Sequence, residues 1–364
     1  MTDDWYDKLD KLHPYPAKFP LKIATEYIEK YTKIGDTVYD PFVGSGTTLI
    51  ASSMLNRFSF GTDINHIAVL LSKFKTSYYS QDDLKMLSEF CESVRNINFD
   101  NAPIKLNYYS NINHWFCDEA ILGLSVIKDQ ITNTFEKDTS CDLFCKSVLS
   151  SIINIVSNQE SDTRYAAVEK KGFYAKDVAD VFCRKFISTL EIIKNTIRDK
   201  KILDNTNAYY CDSRNTSSIV GKKAKLIVTS PPYPNTYDYY LYHKHRMLWL
   251  DYNFEESKEL EIGSRNEFSS KKQPSSNFTY DLMSVFEDCN KVLSDSSHIV
   301  IIIGDGIIRG DFYDSYEHTV DICEKVGWTL EDSFDLDLDK TSRSFNKLFR
   351  TKGKKEHTII FRKG

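Results

Sequence analysis

The chain has 364 residues, of which 41% are hydrophobic and 27% charged, and its formal net charge is −5 at pH 7. This composition is typical of globular domains, so it excludes wholesale disorder, and the acidic balance counts against a strongly basic nucleic-acid binder. The apolar runs are strand-sized, well below the ~18 residues of a membrane span, and the first residues show no secretion signal. Eight scattered cysteines form no CxxC pair, which predicts reduced thiols in a cytoplasmic protein, without a zinc site or a disulfide framework.

Five short apolar runs predict β-strands, and each is followed by turn or helix-start residues and not by a hairpin signal. This pattern favours an α/β fold with a parallel sheet. The end of the chain, His357–Arg362, predicts a final strand, which we expect at an antiparallel edge. The five runs are Thr37–Asp40, Phe58–Asp63, Asn207–Asp212, Lys225–Thr229 and His298–Gly304.

A long segment between the second and third predicted strands has a different character. Ile121, Leu124, Ile127 and Ile131 recur there at helical spacing, and so does the series from Phe182 to Ile197. We therefore predict a mostly helical insertion over residues 77–205, whose apolar stripes form core and not a ligand site.

The first chemically informative segment joins a predicted strand to a predicted helix. In the run Asp-Pro-Phe-Val-Gly-Ser-Gly-Thr, which begins at Asp40, the strand ends in an acid and the glycines at 44 and 46 let the backbone approach a ligand. The helix that follows offers unpaired N–H groups at its N-terminus. A second acid, Asp63, closes the next strand.

Three cofactors can use such a turn. No Lys precedes Thr47, so the triphosphate pattern GxxxxGK[ST] fails. A dinucleotide would need a small residue where Leu49 stands, and Asp40 would crowd its pyrophosphate. S-adenosylmethionine fits better, because Asp40 can hold its ammonium group and Asp63 can accept both ribose hydroxyls. The alternative is a purely structural role, in which the glycines form a tight turn and bind no ligand.

The second informative segment is the strand that runs into Thr-Ser-Pro-Pro-Tyr, residues 229–233. Two consecutive prolines cannot continue a parallel ladder, and they lock a rigid, extended turn. Rigid presentation of a polar side chain, a carbonyl group and an aromatic face suits a base flipped out of a duplex.

Together, the two segments resemble the signature motifs of amino-directed DNA methyltransferases, which methylate cytosine N4 or adenine N6 with S-adenosylmethionine. The resemblance implies a Rossmann-like methyltransferase fold, an α/β fold with a mostly parallel seven-stranded sheet and a large, mostly helical insertion. Residues 1–76 and 206–364 would form the catalytic domain, and residues 77–205 would be the candidate target-recognition region.

The resemblance also assigns roles to single residues. The segment His13–Pro20 is similar to the family's cofactor-flanking segment, although it would also suit a proline-rich arm packed on the domain. An acid at Asp212 meets the adenine amino group of the cofactor in this family; alternatively, it caps the next turn. The family's catalytic positions fall on Ser230, Pro231, Pro232 and Tyr233, and its cofactor-binding positions fall on Asp40, Phe42, Gly44, Gly46, Thr47, Asp63, Asp212 and Lys18.

The expected chemistry needs little beyond positioning. Acceptors on Ser230 and on the Pro231 carbonyl would bind the two amino hydrogens, while Tyr233 stacks on the flipped base. The methyl group would pass in line from a sulfonium, so no metal or covalent nucleophile is required. No proline precedes a cysteine, which disfavours cytosine-C5 methylation.

Serine at position 230 favours cytosine N4, since Asp-Pro-Pro-Tyr is typical of the family's adenine enzymes. Adenine N6 stays open as the alternative target. A non-catalytic DNA-binding module with this fold and a nicotinamide-dependent oxidoreductase are further alternatives, and the intact motifs argue against both.

Double-stranded DNA is the expected partner, and a cognate restriction endonuclease is the further partner that the resemblance implies. The end of the chain from Thr341 carries eight basic residues and one acid, which suits phosphate or a solvated hairpin. The aromatic and cationic residues at 234–246 suit base stacking or a packed helix, and we expect no metal at His243 and His245. Candidate base-reading residues are Tyr108, Trp115, Arg164, Tyr165 and the polar loop 264–277.

Overall fold

The computed structural model describes residues 2–100, 110–162, 164–170, 172–196, 199–221, 223–338 and 353–364. Three of the sequence predictions fall outside these ranges. They concern Tyr108 as a base-reading residue, Ile197 in a helical stripe, and the basic residues between 341 and 352.

The strands agree closely with the predicted apolar runs. The first two predicted runs match strands residue for residue. The strands that correspond to the other three runs are shifted or extended at their ends. The described strands are β1 (Thr37–Asp40), β2 (Phe58–Asp63), β3 (Gln159–Ser161), β4 (Arg164–Ala167), β5 (Thr206–Tyr210), β6 (Ala224–Thr229), β7 (Leu293–Gly304), β8 (Gly306–Ile308), β9 (Asp311–Tyr313), β10 (Trp328–Asp337) and β11 (Lys355–Lys363).

Helices fill most of the remaining described chain. The predicted polar loop 264–277 is partly helical, because it contains a π-helical segment, Asn266–Ser270, and the start of α14. A 3₁₀ segment spans Ser213–Ser218. The α-helices are α1 (Thr2–Asp10), α2 (Leu21–Tyr31), α3 (Thr47–Met54), α4 (His66–Thr76), α5 (Gln81–Arg95), α6 (Ile112–Trp115), α7 (Asp118–Thr134), α8 (Ser140–Ile153), α9 (Ala175–Asn195), α10 (Lys200–Leu203), α11 (Tyr239–Tyr242), α12 (Lys244–Trp249), α13 (Phe254–Leu260), α14 (Ser275–Val292) and α15 (Ser315–Lys325).

Seven strands form one sheet in the order β10-β11-β7-β6-β1-β2-β5. The pairs from β5 to β7 are parallel, whereas β11 is antiparallel to both of its neighbours. The α/β prediction is confirmed. The expectation that the last strand lies at an edge is wrong: β11 lies inside the sheet, because the unpredicted strand β10 covers its outer side.

Alternating side chains give the sheet two buried faces. Val38, Leu226 and Val300 point into one core, and their neighbours in sequence, Tyr39 and Ile227, point into the other. Because a strand has a period of two, the interior strands β1, β6, β7 and β11 each serve both cores, as expected for a sheet covered on both sides.

The described part of the helical region 77–205 shares a core with the sheet. Most of its buried hydrophobic residues belong to the same cluster as Val38 and Leu226 of the sheet. The contact runs through α4, since Phe74 of α4 packs edge-on against Phe144 of α8 with ring centroids 5.6 Å apart. The insertion thus packs as a layer on α4, and its predicted role in target recognition remains a prediction.

A buried arginine connects this layer to the segment after the second motif. Arg246 in α12 is 1% exposed and donates to the backbone carbonyl of Ser150 in α8 at 3.1 Å. It also pairs with Asp162, in the turn between β3 and β4. The guanidinium group of Arg246 therefore ties the hairpin β3–β4 to α12.

A second polar cluster fixes β11. His357 is buried between two carboxylates: Nε2 lies 3.1 Å from Asp305 Oδ1, and Nδ1 lies 2.8 Å from Asp335 Oδ1. Asp305 also accepts the backbone N–H of Lys355 at 3.1 Å. These contacts give Asp305 a structural role.

Within the described ranges, no helix combines the length and hydropathy needed to cross a bilayer.

Candidate active site

The carboxyl ends of β1, β2 and β6 meet at one edge of the sheet, where a parallel α/β fold places its ligands. An open cavity of about 840 Å³ lies there. Its wall includes Phe42 and Gly44 from the first motif and Ser230 and Pro232 from the second. The fold therefore brings together two segments that lie far apart in the sequence.

The loop between β1 and α3 depends on its two glycines. Gly44 has a φ of 49° and Gly46 a φ of 90°, a region that side chains disfavour. A Cβ on Gly44 would lie 3.3 Å from Tyr15 Cε1, and one on Gly46 would lie 3.0 Å from Ser72 Cα. The loop therefore lies close under Tyr15, with Gly46 directly before the first residue of α3.

Asp63 lies on the cavity wall at the end of β2. Its Oδ2 accepts the Gly44 N–H at 3.0 Å, and its Oδ1 accepts the Asn65 N–H at 2.8 Å. Burial raises the pKa of this carboxyl to about 6, against the effect of those hydrogen bonds. Because a carboxylate offers about four acceptor sites, Asp63 can still accept two further hydroxyl groups.

Asp40 occupies a different position from the one expected. Its carboxylate is 1% exposed and accepts the hydroxyls of Thr48 at 2.7 Å and Thr229 at 2.6 Å, and the Phe42 N–H at 3.0 Å. Burial raises its pKa to about 6. Protein donors thus surround Asp40 behind the loop. Thr229 directly precedes Ser230, so this carboxylate links the two motifs.

Thr47 and Lys18 line the cavity and share a partner that the sequence did not reveal. Asp10, at the end of α1, accepts the Thr47 hydroxyl at 2.9 Å and forms an ion pair with Lys18. The buried Lys75 donates to the backbone carbonyls of Asp10 and Ser45, at 2.9 Å each. Burial lowers the pKa of Lys75 to about 7. These contacts anchor the N-terminal segment to the glycine loop.

Asp212 also lines the cavity, and both expectations for it agree with its position. Its Oδ1 accepts the Arg214 N–H at 3.0 Å, as a turn cap does. The Arg214 guanidinium pairs with Asp212 at 2.7 Å and with Asp281 at 2.6 Å.

Only part of the second motif lines the cavity. Ser230 and Pro232 lie on its wall, whereas the buried Pro231 and the ring of Tyr233 are not among the residues that line it. Tyr233 donates its hydroxyl hydrogen to Glu356 of β11 at 2.5 Å, and its ring packs over Gly304, where a Cβ would come within 2.6 Å of it. Burial raises the pKa of Tyr233 above its ordinary value, and the Glu356 charge adds to this shift.

The sequence did not indicate Glu261, which lies on the cavity wall together with Tyr239 from the predicted stacking segment 234–246. Glu261 accepts the backbone N–H groups of Tyr239 at 2.9 Å and Tyr240 at 2.8 Å. Burial raises the pKa of Glu261 to about 8. The sequence did carry one signal for Glu261, an apolar residue on each side of it, because this pattern marks a half-buried segment.

The two histidines after the motif pack among aromatic rings. His243 stacks on Tyr15 with centroids 5.0 Å apart, and His245 packs against Trp115 at 4.6 Å and Tyr165 at 5.2 Å. In the described part of the chain, no group of three or more His, Cys, Asp or Glu side chains is placed to hold a metal ion. Arg164, another candidate base reader, is exposed and pairs with Glu160 at 2.8 Å.

The strand order, with an antiparallel strand inserted before the last edge strand, and the glycine loop at the carboxyl edge are those of the Rossmann-like methyltransferase fold. A family model described as DNA methylase, for N6- and N4-acting methyltransferases, matches residues 2–74. Together with the relatives described next, this match confirms the resemblance to amino-directed DNA methyltransferases that the motifs predicted.

The similar proteins include Type II DNA methyltransferases. The chain is 25% identical over 285 residues to Type II methyltransferase M.MvaI of Kocuria varians, which covers 69% of this chain and 59% of that protein. It is 25% identical over 255 residues to M.BsoBI of Geobacillus stearothermophilus, which covers 62% and 49%. The chain thus spans less than two thirds of either relative. Among solved structures, a putative rRNA methylase from Clostridium thermocellum gives a TM-score of 0.38 at 11% identity, covering 95% of this chain and 98% of that one.

The family's cofactor is S-adenosylmethionine, and the cavity suits it. The carboxylate of Asp63 retains acceptor capacity, and the backbone at Gly44 leaves room that a side chain would fill. Both features suit a nucleoside with a ribose diol, which confirms the cofactor class expected from the sequence.

Proposed function

We propose that the protein transfers a methyl group from S-adenosylmethionine to the exocyclic N4 of cytosine in duplex DNA, with the target base flipped out of the helix. The observation that carries this proposal is that Ser230 and Pro232 line the same cavity as Asp63 and Asp212. A base amine held by the second motif would therefore lie beside the cofactor.

Each wall residue has a role in this proposal. Asp63 accepts the ribose hydroxyls, Asp212 meets the adenine amino group, and the glycines 44 and 46 admit the cofactor against the backbone. Thr47 and Lys18, both held by Asp10, face the methionine end. Direct contact of Asp40 with the ammonium stays a prediction, and its buried hydrogen bonds favour a supporting role for the loop.

The chain's own groups act by positioning. When bound, S-adenosylmethionine supplies an electrophilic methyl group on a sulfonium. The amine lone pair of cytosine is delocalised into its ring, so acceptors on Ser230 and the Pro231 carbonyl bind the two amino hydrogens and favour a localised lone pair. Tyr233 stacks on the base, and Glu356 fixes the orientation of its ring. After transfer, the surplus amino proton leaves to solvent.

The choice of base rests on Ser230. A serine hydroxyl is neutral, and in this family the serine form of the motif is commoner among cytosine-N4 enzymes. The same geometry also serves adenine N6, which is the alternative target. In the cell, we propose duplex DNA as the partner in the cytoplasm, with a restriction endonuclease of the same specificity as a further partner.

The test is transfer of label from S-adenosylmethionine to mixed-sequence duplex DNA, followed by chromatography of the nucleosides. We expect labelled N4-methylcytosine, and we expect a loss of at least about 100-fold in Ser230→Ala, since that variant loses a positioned acceptor. Ser218→Ala, at an exposed serine, is the matched control and should keep full activity.

Two other outcomes would contradict the proposal in different ways. Labelled N6-methyladenine, in place of N4-methylcytosine, would show that the target base is adenine and not cytosine. Binding of both S-adenosylhomocysteine and DNA without any transfer would indicate a non-catalytic DNA-binding module.

A further inference from the structure

Glu261 lines the same cavity as the glycine loop and the second motif. Its two oxygens accept the N–H groups of Tyr239 and Tyr240 at the start of α11. The adjoining backbone is fixed as well, because the carbonyl of Gly263 accepts the Asn235 N–H at 2.9 Å. Glu261 is therefore held in place on the cavity wall.

Asp63 is a second carboxylate on the same cavity, and its hydrogen-bond donors are also backbone N–H groups, from Gly44 and Asn65. The cations near the wall have other partners. Lys18 pairs with Asp10, and Arg214 pairs with Asp212 and Asp281. In the described contacts, the ionised forms of Asp63 and Glu261 are thus stabilised by backbone dipoles and not by cations.

The proposed reaction changes the charge of the cavity's ligand. The bond from sulfur to the methyl carbon breaks with its electron pair left on sulfur, and the new bond forms to the amine nitrogen. The sulfonium, with one positive charge, becomes an uncharged thioether. Carboxylates at the cavity wall therefore interact more favourably with the donor than with the product, by an amount that grows as the local dielectric falls.

We propose that Glu261, together with Asp63, is a specificity-determining residue that makes the cavity prefer the cationic methyl donor over the uncharged thioether product. This inference rests on the proposed function. It also favours dissociation of the thioether product, because the positive charge that favours binding disappears when the methyl group is transferred.

Proton uptake and release follow from the same charges. The groups that face Glu261 are the carboxyls of Asp63 and Asp238 and the hydroxyls of Tyr15, Tyr239 and Tyr240, so no cation opposes its protonation among these described neighbours. Burial raises its pKa to about 8. A bound cation lowers that pKa, so donor binding at pH 7 releases a proton that product binding does not.

The experiment is calorimetric titration of S-adenosylmethionine and S-adenosylhomocysteine into the wild-type chain, Glu261→Gln and Glu259→Gln. Glu259 lies two residues away and is exposed, so its variant is the matched control. At pH 8.5 the donor-to-product affinity ratio should fall about tenfold in Glu261→Gln, and it should be unchanged in the control. At pH 6.5 the fall should be smaller.

Loss of affinity for both ligands in equal measure would overturn the inference, because a residue that only positions Tyr239 affects donor and product alike. A second measurement uses the wild-type chain alone, so it does not depend on the folding of a variant. Titrations at pH 7 in buffers of different ionisation enthalpy should show more protons released with the donor than with the product, and equal release would also overturn the inference. If neither ligand binds the wild-type chain, the proposed function itself fails.

Discussion

The carboxylate of Asp40 shows how a single residue can connect two distant motifs. It accepts hydroxyl hydrogens from Thr48, at the start of α3, and from Thr229, directly before Ser230. A buried acid costs free energy unless it is hydrogen-bonded, and here each donor comes from a segment that must be placed correctly. The loop and the proline turn are therefore held in one fixed relation.

The sequence predicted most of the cavity wall, but not all of it. Asp63, Asp212 and Ser230 lie at strand ends, where a sequence pattern can locate them. Glu261 lies between Leu260 and Ile262 in a segment without a strand, and its position depends on contacts with α11 that only the fold creates. The actual environment of Asp40 was unpredictable for the same reason.

At Tyr233 we expect the ring to contribute to methyl transfer and not to cofactor binding. Tyr233→Ala should reduce kcat/KM for DNA about 10- to 100-fold, since one base–aromatic stack is worth about 1–3 kcal/mol. Tyr233→Phe keeps the ring and loses the bond to Glu356, so its loss should be smaller. Transfer kinetics and S-adenosylhomocysteine titration check this. An equal loss of cofactor affinity in Tyr233→Ala would remove the assigned role.

At the scale of the elements, β11 joins β7 to β10 and carries both Glu356 and His357. Its strand character was predictable from Thr-Ile-Ile-Phe. Its interior position was not, because β10 is a largely exposed strand, with acidic residues, that lacks an apolar run. The order of strands at this edge depends on a partner that the sequence pattern did not reveal.

His357 should make stability depend on pH. Burial opposes its charge, but hydrogen bonds to Asp305 and Asp335 prevail and raise the pKa of the imidazole above 6.5. The folded state therefore binds this proton more tightly than the unfolded state. The stabilisation is complete below pH 6.5 and disappears as the pH rises through the folded-state pKa.

We therefore expect the difference in free energy of unfolding between the wild type and His357→Gln to shrink between pH 6 and pH 9. Urea denaturation at several pH values measures it. His318→Gln, at an exposed position of α15, is the control. A difference that stays constant with pH would show that His357 stabilises β11 by packing alone.

The hairpin β3–β4 should depend on its tie to Arg246. Asp162→Asn leaves a buried guanidinium without its carboxylate, and we expect a loss of about 2–3 kcal/mol in the free energy of unfolding, because Asp162 is itself partly exposed. Glu160→Gln, which removes a surface pair on the same hairpin, should cost less than about 1 kcal/mol. Equal losses in the free energy of unfolding for the two variants would show that the buried ion pair stabilises the fold no more than the surface pair does.

For the whole molecule, ligand binding should be visible as thermal stabilisation. S-adenosylhomocysteine at about 100 times its Kd should stabilise the chain by about 2.7 kcal/mol, which is a rise of about 3–4 °C in Tm for a protein of this length. Asp63→Ala should abolish most of this rise, because it removes the proposed ribose acceptor.

Asp311→Ala, at an exposed position, is the matched control for this measurement and should keep the full rise. Thermal unfolding followed by circular dichroism, with and without ligand, gives the comparison. An Asp63→Ala variant that is stabilised as much as the wild type would undo the ribose assignment.

The layer formed by residues 77–205 has a practical consequence for engineering. Its aromatic residues interlock with Phe74 of α4, and its hairpin is bound to Arg246 of α12. A chimera that imports this region from a relative, as a test of its proposed role in target recognition, would place mismatched side chains against α4 and α12. The exchanged segments should therefore include α4 and α12. A chimera that exchanges residues 77–205 alone should yield insoluble protein.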